Sequence, residues 1–112
     1  MLYPCTCSRK QVQTDGHMGI EGYIYPGTCR NQAFSHLTQA HSWRIKTPDK
    51  LITFCDRIAG MQKQNIAQKV GDFVLKRADG LWAYQLAVVI DDAASQITHI
   101  VRGNDLLLST AR

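Results

Sequence analysis

Three cysteines near the start of this chain constrain its folding more than any other feature. Cys5-Thr6-Cys7 sets two thiols two residues apart, and Cys29 ends the run Tyr25-Pro26-Gly27-Thr28-Cys29. The intervening segment carries Gly16, Gly19, Gly22 and Gly27, with Pro4 and Pro26 close by, and leaves little room for long regular elements. Ser8 is placed to cap a short helix over residues 9–14. A stretch so poor in apolar periodicity cannot bury much surface and needs another source of order. A structural zinc ion meets that need, because thiolate sulfur suits it and its binding energy becomes folding energy. Zinc takes four ligands in a tetrahedron, so three sulfurs leave one position open. Tyr25 and His17 are the candidates, and by chemistry alone His17 is preferred, since imidazole is the far commoner ligand.

At 112 residues the chain is one domain's worth. No apolar run approaches the roughly 18 residues of a membrane span, and the opening Met1-Leu2-Tyr3-Pro4 is no secretory signal. The reading is therefore cytoplasmic, without a membrane partner and monomeric. In that compartment four cysteines read as metal ligands or free thiols rather than a disulfide framework. Net charge is uneven: residues 1–77 hold 11 Lys/Arg against 5 Asp/Glu, and residues 78–112 hold 2 against 4. A basic front half is compatible with a phosphate backbone as partner, but charge alone favours a solvated basic face.

Along the chain, residues 31–42 carry a weak helical spacing worth one or two turns. Residues 43–46 alternate apolar and basic as a half-buried strand does, and 51–55 are rich in β-formers and predict a second strand. Residues 61–71 form a loop or a further short strand. The strongest strand pattern is 73–77, followed by a turn at Ala78-Asp79-Gly80. Residues 85–95 are ambiguous: Val88-Val89-Ile90 has a strand's β-branched bias, whereas the length and the alanines suit a buried helix. Residues 97–101 predict a strand, and Asn104 is placed to cap a last helix over 105–112. Cys55 reads as a buried thiol. Asp91 and Asp92 oppose the dipole of any helix ending beside them and read as structural or as lining a site near a substrate amine. His36, His41 and His99 have no partner pattern.

Several of these stretches carry a resemblance. YPCTCSR, GYIYPGTCR, FVLKRADGLWAYQLAVVIDD and ITHIVRGNDLLLSTAR are similar to the bacterial glutamyl-queuosine tRNA(Asp) synthetases, shortened paralogues of glutamyl-tRNA synthetase. The likeness covers nearly the whole chain and is most specific over 73–112. It implies an α/β fold, part of a class I synthetase Rossmann-type catalytic domain interrupted by a zinc-binding insert. Residues 1–72 would be the insert with short strands, and 73–112 the rear, incomplete portion of the catalytic domain. The family's metal ligands fall on Cys5, Cys7, Tyr25 and Cys29, which replaces His17 by the tyrosine. Its glutamate-binding residues fall on Tyr84 and Arg102, and it tilts 84–95 to helix. A guanidinium beyond a strand's C-terminal end suits a carboxylate ligand, which it can hold in a bidentate fork.

The resemblance implies a ligase that activates glutamate with ATP and Mg2+ and passes it to queuosine in the anticodon loop of tRNA(Asp). The ATP-binding HIGH-type and KMSKS-type motifs are not in these residues, so the chain reads as a fragment, inactive alone. Two alternatives stand beside this: a stand-alone zinc-binding RNA or protein interaction module, and a fragment of an ordinary glutamyl-tRNA synthetase.

Overall fold

The computed structural model describes residues 1–32 and 38–112. The expected helical turns within 31–42 fall largely on residues 33–37, outside the described residues, as does His36. Strand β1 (Leu2–Cys5) leads into helix α1 (Arg9–Asp15), then a β2–β3 hairpin (His17–Gly19 and Gly22–Ile24) and strand β4 (Ser42–Ile45). A second hairpin, β5–β6 (Leu51–Asp56 and Gly60–Asn65), runs into a single helical turn, α2 (Ile66–Lys69). Strand β7 (Val74–Lys76), helix α3 (Tyr84–Ala94) and a 3-10 turn over Asn104–Ser109 complete the chain.

Local chemistry accounts for most of these elements. Ser8 caps α1 through a full capping box: its hydroxyl accepts from the Gln11 N–H, and the Gln11 side chain accepts from the Ser8 N–H. The β5–β6 tip is closed by Asp56, whose carboxylate accepts from the backbone N–H groups of Ile58 and Ala59 at 2.8 and 2.7 Å. Residues 60–65 thus form the short strand and 66–69 the helical turn within the stretch that pattern alone left open.

Among the described residues the strands make one three-stranded sheet in the order β1-β4-β7, plus the two hairpins, and every pairing is antiparallel. Pro4, which has no N–H to donate, sits in the edge strand β1 opposite Trp43. Since β7 pairs with β4, hydrogen bonds tie residues on either side of position 72. Among the described residues the buried apolar ones are few: Tyr3, Cys5, Ile24, Tyr25, Cys29 and Ile66. Four of them, Tyr3, Cys5, Tyr25 and Cys29, form one cluster against which Cys7 and Val12 pack. The cysteines thus lie within the core itself, with Ile24 and Ile66 buried outside their cluster.

Three expectations are corrected. Residues 97–101 form no strand; a strand needs a hydrogen-bonded neighbour, none of the three sheets offers one there, and Val101 is 98% exposed. Asn104 does not cap a helix over 105–112: it is the first residue of the 3-10 turn, Gly103 holds the cap position, and no side chain caps it. Cys55 is exposed, because β5 alternates and the positions of Leu51, Thr53 and Cys55 face solvent. By contrast 84–94 is a helix, though none of its residues is buried.

Candidate metal centre and the cavity at Arg102

The edge strand β1 delivers Cys5, and the loop that follows delivers Cys7 before Ser8 starts α1. After β3, Tyr25 and Pro26 lead to Gly27, whose φ of +85° is a left-handed conformation that bends the chain back and brings Cys29 to the same point. The sulfurs of Cys5, Cys7 and Cys29 all lie within 4.8 Å of one another. Cys7 Sγ and Cys29 Sγ are 3.6 Å apart. The Tyr25 phenol oxygen completes the group, 3.4 Å from Cys5 Sγ and 3.6 Å from Cys7 Sγ. That oxygen also accepts from the Cys29 backbone N–H at 2.7 Å.

These spacings fit a metal ion. Two sulfurs on a tetrahedral zinc sit about 3.8 Å apart, and a sulfur and an oxygen about 3.5 Å. Cys5 and Cys29 are almost fully buried, at 1% and 2% exposure, and Tyr25 at 6%. Burial pushes the Cys7 thiol above its ordinary value and the Tyr25 phenol well above its own. Burial raises Cys29 too, but hydrogen bonds from Tyr25, the Thr6 backbone and Cys7 outweigh it and bring this thiol down to about 7. A thiol so held is partly ionised near neutrality, the form in which sulfur binds a metal. A Cys5/Cys7/Cys29 cluster that can hold a metal ion is therefore present, with a phenol oxygen at its fourth corner. His17 is exposed on β2 and is not among the side chains of that cluster.

Asp72, which sequence reasoning missed, anchors the cluster to the sheet. Only 3% exposed, it accepts from Tyr3 Oη at 2.7 Å, from Arg30 Nη1 at 2.9 Å, and from the Thr47 N–H and hydroxyl at 2.8 and 3.0 Å. Tyr3 lies between Pro4 and Leu2 on β1, and Arg30 directly follows Cys29, so one carboxylate fixes both ends of the ligand set. Arg44 on β4 donates to the Asp72 backbone carbonyl at 2.9 Å, and its guanidinium lies 3.9 Å from the Tyr25 ring centroid. No spacing rule could have pointed to Asp72, whose partners lie 25 to 69 positions away.

The two proposed glutamate residues, Tyr84 and Arg102, do not line one cavity. Arg102 lines a cavity of about 660 Å³ between the β5–β6 tip and residues 98–110, with Phe54, Asp56, His99 and Leu107 among its neighbours. Its guanidinium donates to the Thr110 hydroxyl. Tyr84, in the first turn of α3 and 63% exposed, is not part of that lining. Asp91 and Asp92 lie in the last turns of α3; their backbone carbonyls accept from Ser95 and Ile97.

Residues 25–112 match the family model described as tRNA synthetases class I (E and Q), catalytic domain. The chain belongs to that family. Over its whole length it is 54% identical to a Glutamyl-Q tRNA(Asp) synthetase of Neisseria meningitidis and 53% identical to one of Burkholderia cenocepacia. It spans 39% of the length of each, so these relatives are much longer proteins. A glutamate tRNA ligase of Elizabethkingia meningosepticum, solved in complex with its amino acid, superposes with a TM-score of 0.75 over 98% of this chain and 25% of its own. A glutamate-tRNA synthetase of Elizabethkingia anophelis gives 0.74. At 24% identity these two structures show the fold, and that fold is the one expected for a class I synthetase of the E and Q group. No helix of the described residues is long and apolar enough to cross a membrane.

Proposed function

We propose that this chain is part of a ligase that activates glutamate with ATP and Mg2+ and transfers it to queuosine in tRNA(Asp). The observation that carries the reading is identity above one half, along the entire chain, with relatives named Glutamyl-Q tRNA(Asp) synthetase. The two glutamate tRNA ligase structures named above share the fold at less than half that identity, which favours the queuosine-type enzyme over an ordinary glutamyl-tRNA synthetase. In this reading residues 1–72 are a zinc-binding insert and 73–112 part of the catalytic domain. Zinc is held by Cys5, Cys7, Cys29 and Tyr25, and is structural: it closes a core that has few other apolar groups. Arg102 takes a carboxylate of glutamate through its fork, and Tyr84 contacts the same substrate from the start of α3. Both are exposed among the described residues and free to meet further protein or substrate.

The test is glutamate transfer by the full-length gene product to tRNA(Asp) that carries queuosine. tRNA(Asp) without the modification and tRNA(Glu) serve as comparisons. Charging of tRNA(Glu) alone overturns the reading. The 112-residue protein by itself is expected to give no glutamate-dependent exchange of pyrophosphate into ATP, and measurable exchange would sink that part.

A further inference from the structure

We propose that Arg44 is a positioning residue for the metal centre, its guanidinium plane holding the Tyr25 ring where the phenol oxygen meets the three sulfurs. The proposal rests on the reading of Tyr25 as fourth ligand and adds the element that places it. Tyr25 follows β3 on a turn containing Pro26 and Gly27, and a tyrosine ring on such a turn has several staggered orientations open to it. In the one observed, the oxygen lies 3.4 Å from Cys5 Sγ and 3.6 Å from Cys7 Sγ. The Cys29 N–H at 2.7 Å fixes the oxygen end of the ring. Its face is fixed by Arg44, whose guanidinium carbon stands 3.9 Å from the ring centroid, well inside cation–π range.

Arg44 is itself held rigidly. It lies on β4 opposite both Tyr3 of β1 and Val74 of β7, at the register shift between Trp43 and Arg44. Its Nη1 donates to the Asp72 carbonyl at 2.9 Å. Among the described residues it forms no ion pair: the Asp72 carboxylate is bonded by Arg30, and Arg112 pairs with Glu21. Its buried Nε has no hydrogen-bond partner. A half-buried guanidinium stacked on a ligand ring has no carboxylate of its own as counter-charge, since Glu21 and Asp72, which line the same cavity, are bonded by Arg112 and Arg30. Three thiolates around a divalent ion carry a net negative charge and supply one through the ring. The arrangement therefore orients the oxygen and balances the centre at once. A lysine in this place has charge without the plane that matches the ring.

The experiment measures zinc affinity by competition with a chromophoric chelator in the protein and in Arg44→Gln, Arg44→Lys, Tyr25→Phe and the double variant Tyr25→Phe/Arg44→Gln. Far-UV circular dichroism of each zinc-loaded sample reports the fold. Arg44→Gln should weaken zinc about 10- to 100-fold, the range for groups that orient metal ligands, and Arg44→Lys should fall between it and the parent. In the Tyr25→Phe background, where the oxygen is already gone, Arg44→Gln should change affinity little. The absorption of the Co2+-substituted protein should shift in Arg44→Gln as it does in Tyr25→Phe. Unchanged affinity in Arg44→Gln, an equal loss in both backgrounds, or failure of every Arg44 variant to fold with zinc present would each overturn the proposal. If the parent protein binds no zinc, or Tyr25→Phe binds it as tightly as the parent, the ligand assignment fails instead, before Arg44 is reached.

Discussion

Arg30 Nη1 lies 2.9 Å from Asp72 Oδ1, one residue beyond the last cysteine of the cluster and 42 positions away in the chain. Arg30 is 37% exposed at its side chain and Asp72 2%, so the pair is one-sided: the carboxylate is committed to the interior and the arginine reaches in to it. Truncation of Asp72 to alanine strands the Tyr3 hydroxyl and the Thr47 N–H and hydroxyl without their acceptor. A loss of about 3 kcal/mol is expected, at the upper end for hydrogen bonds to a charged group. Urea denaturation of zinc-loaded parent and variant measures it, and a loss under about 1 kcal/mol would show that water replaces the carboxylate.

Thiol reactivity separates the cluster from Cys55. Cys55 is exposed, whereas Cys5 and Cys29 are buried and Cys7 half-buried. With metal bound, a thiol reagent is expected to modify Cys55 quickly and the other three slowly. After chelation all four should react, and the segment around α1 and β2–β3 should lose order, because its core is the ligand set. Equal reaction rates with and without chelator would remove the metal from the account of this fold.

The glutamate assignment predicts a split between two positions. In the full-length enzyme, Arg102→Ala should lower kcat/KM for glutamate by about two orders of magnitude or more, since it leaves a carboxylate without its charged partner. Tyr84→Phe should cost less, being the loss of a neutral hydroxyl. An Arg102 variant with the parent's dependence on glutamate would assign this arginine to its contact with Thr110 alone.

At the β5–β6 tip the Asp56 carboxyl is held below its ordinary value, first by the Ala59 N–H and then by that of Ile58. A carboxyl lowered on folding contributes stability above its unfolded pKa, about 3.9, and loses it as pH falls through the lower folded value. The hairpin tip should therefore stay ordered through neutral and mildly acid solution and loosen only below the usual aspartate range. Amide shifts of Ile58 and Ala59 followed by NMR across pH 2–6 report this directly (the window is about the aspartate range). Titration of these amides at an ordinary aspartate pKa would dismiss the turn's hydrogen bonds.

What the sequence discloses here depends on how far apart the partners lie. Ser8 and its helix were readable because a cap and its target are three residues apart. The cysteines were readable because few chemistries use C-x-C beside a glycine-rich loop, although ligand chemistry alone preferred His17 and only the family likeness chose Tyr25. Strand β4 showed in its alternation and β5 in its β-formers. Asp72 and Arg44 gave no signal, since their roles arise when β7 docks on β4 and nothing local marks it. Residues 97–101 have every local mark of a strand, yet pairing is a property of the neighbour, and no neighbour lies beside them among the described residues.

The order of the ligands along the chain has a consequence for biosynthesis. Cys5, Cys7, Tyr25 and Cys29 all precede Arg44, by at least fifteen positions. At about 5–20 residues per second, a ribosome completes the four ligands roughly 1–3 s before it adds the arginine that aligns the tyrosine. The same interval separates their exit from the ribosome, so a metal ion then meets three sulfurs and a ring that Arg44 does not yet hold. On the role proposed for Arg44, the tyrosine oxygen therefore joins the three sulfurs only once β4 has formed.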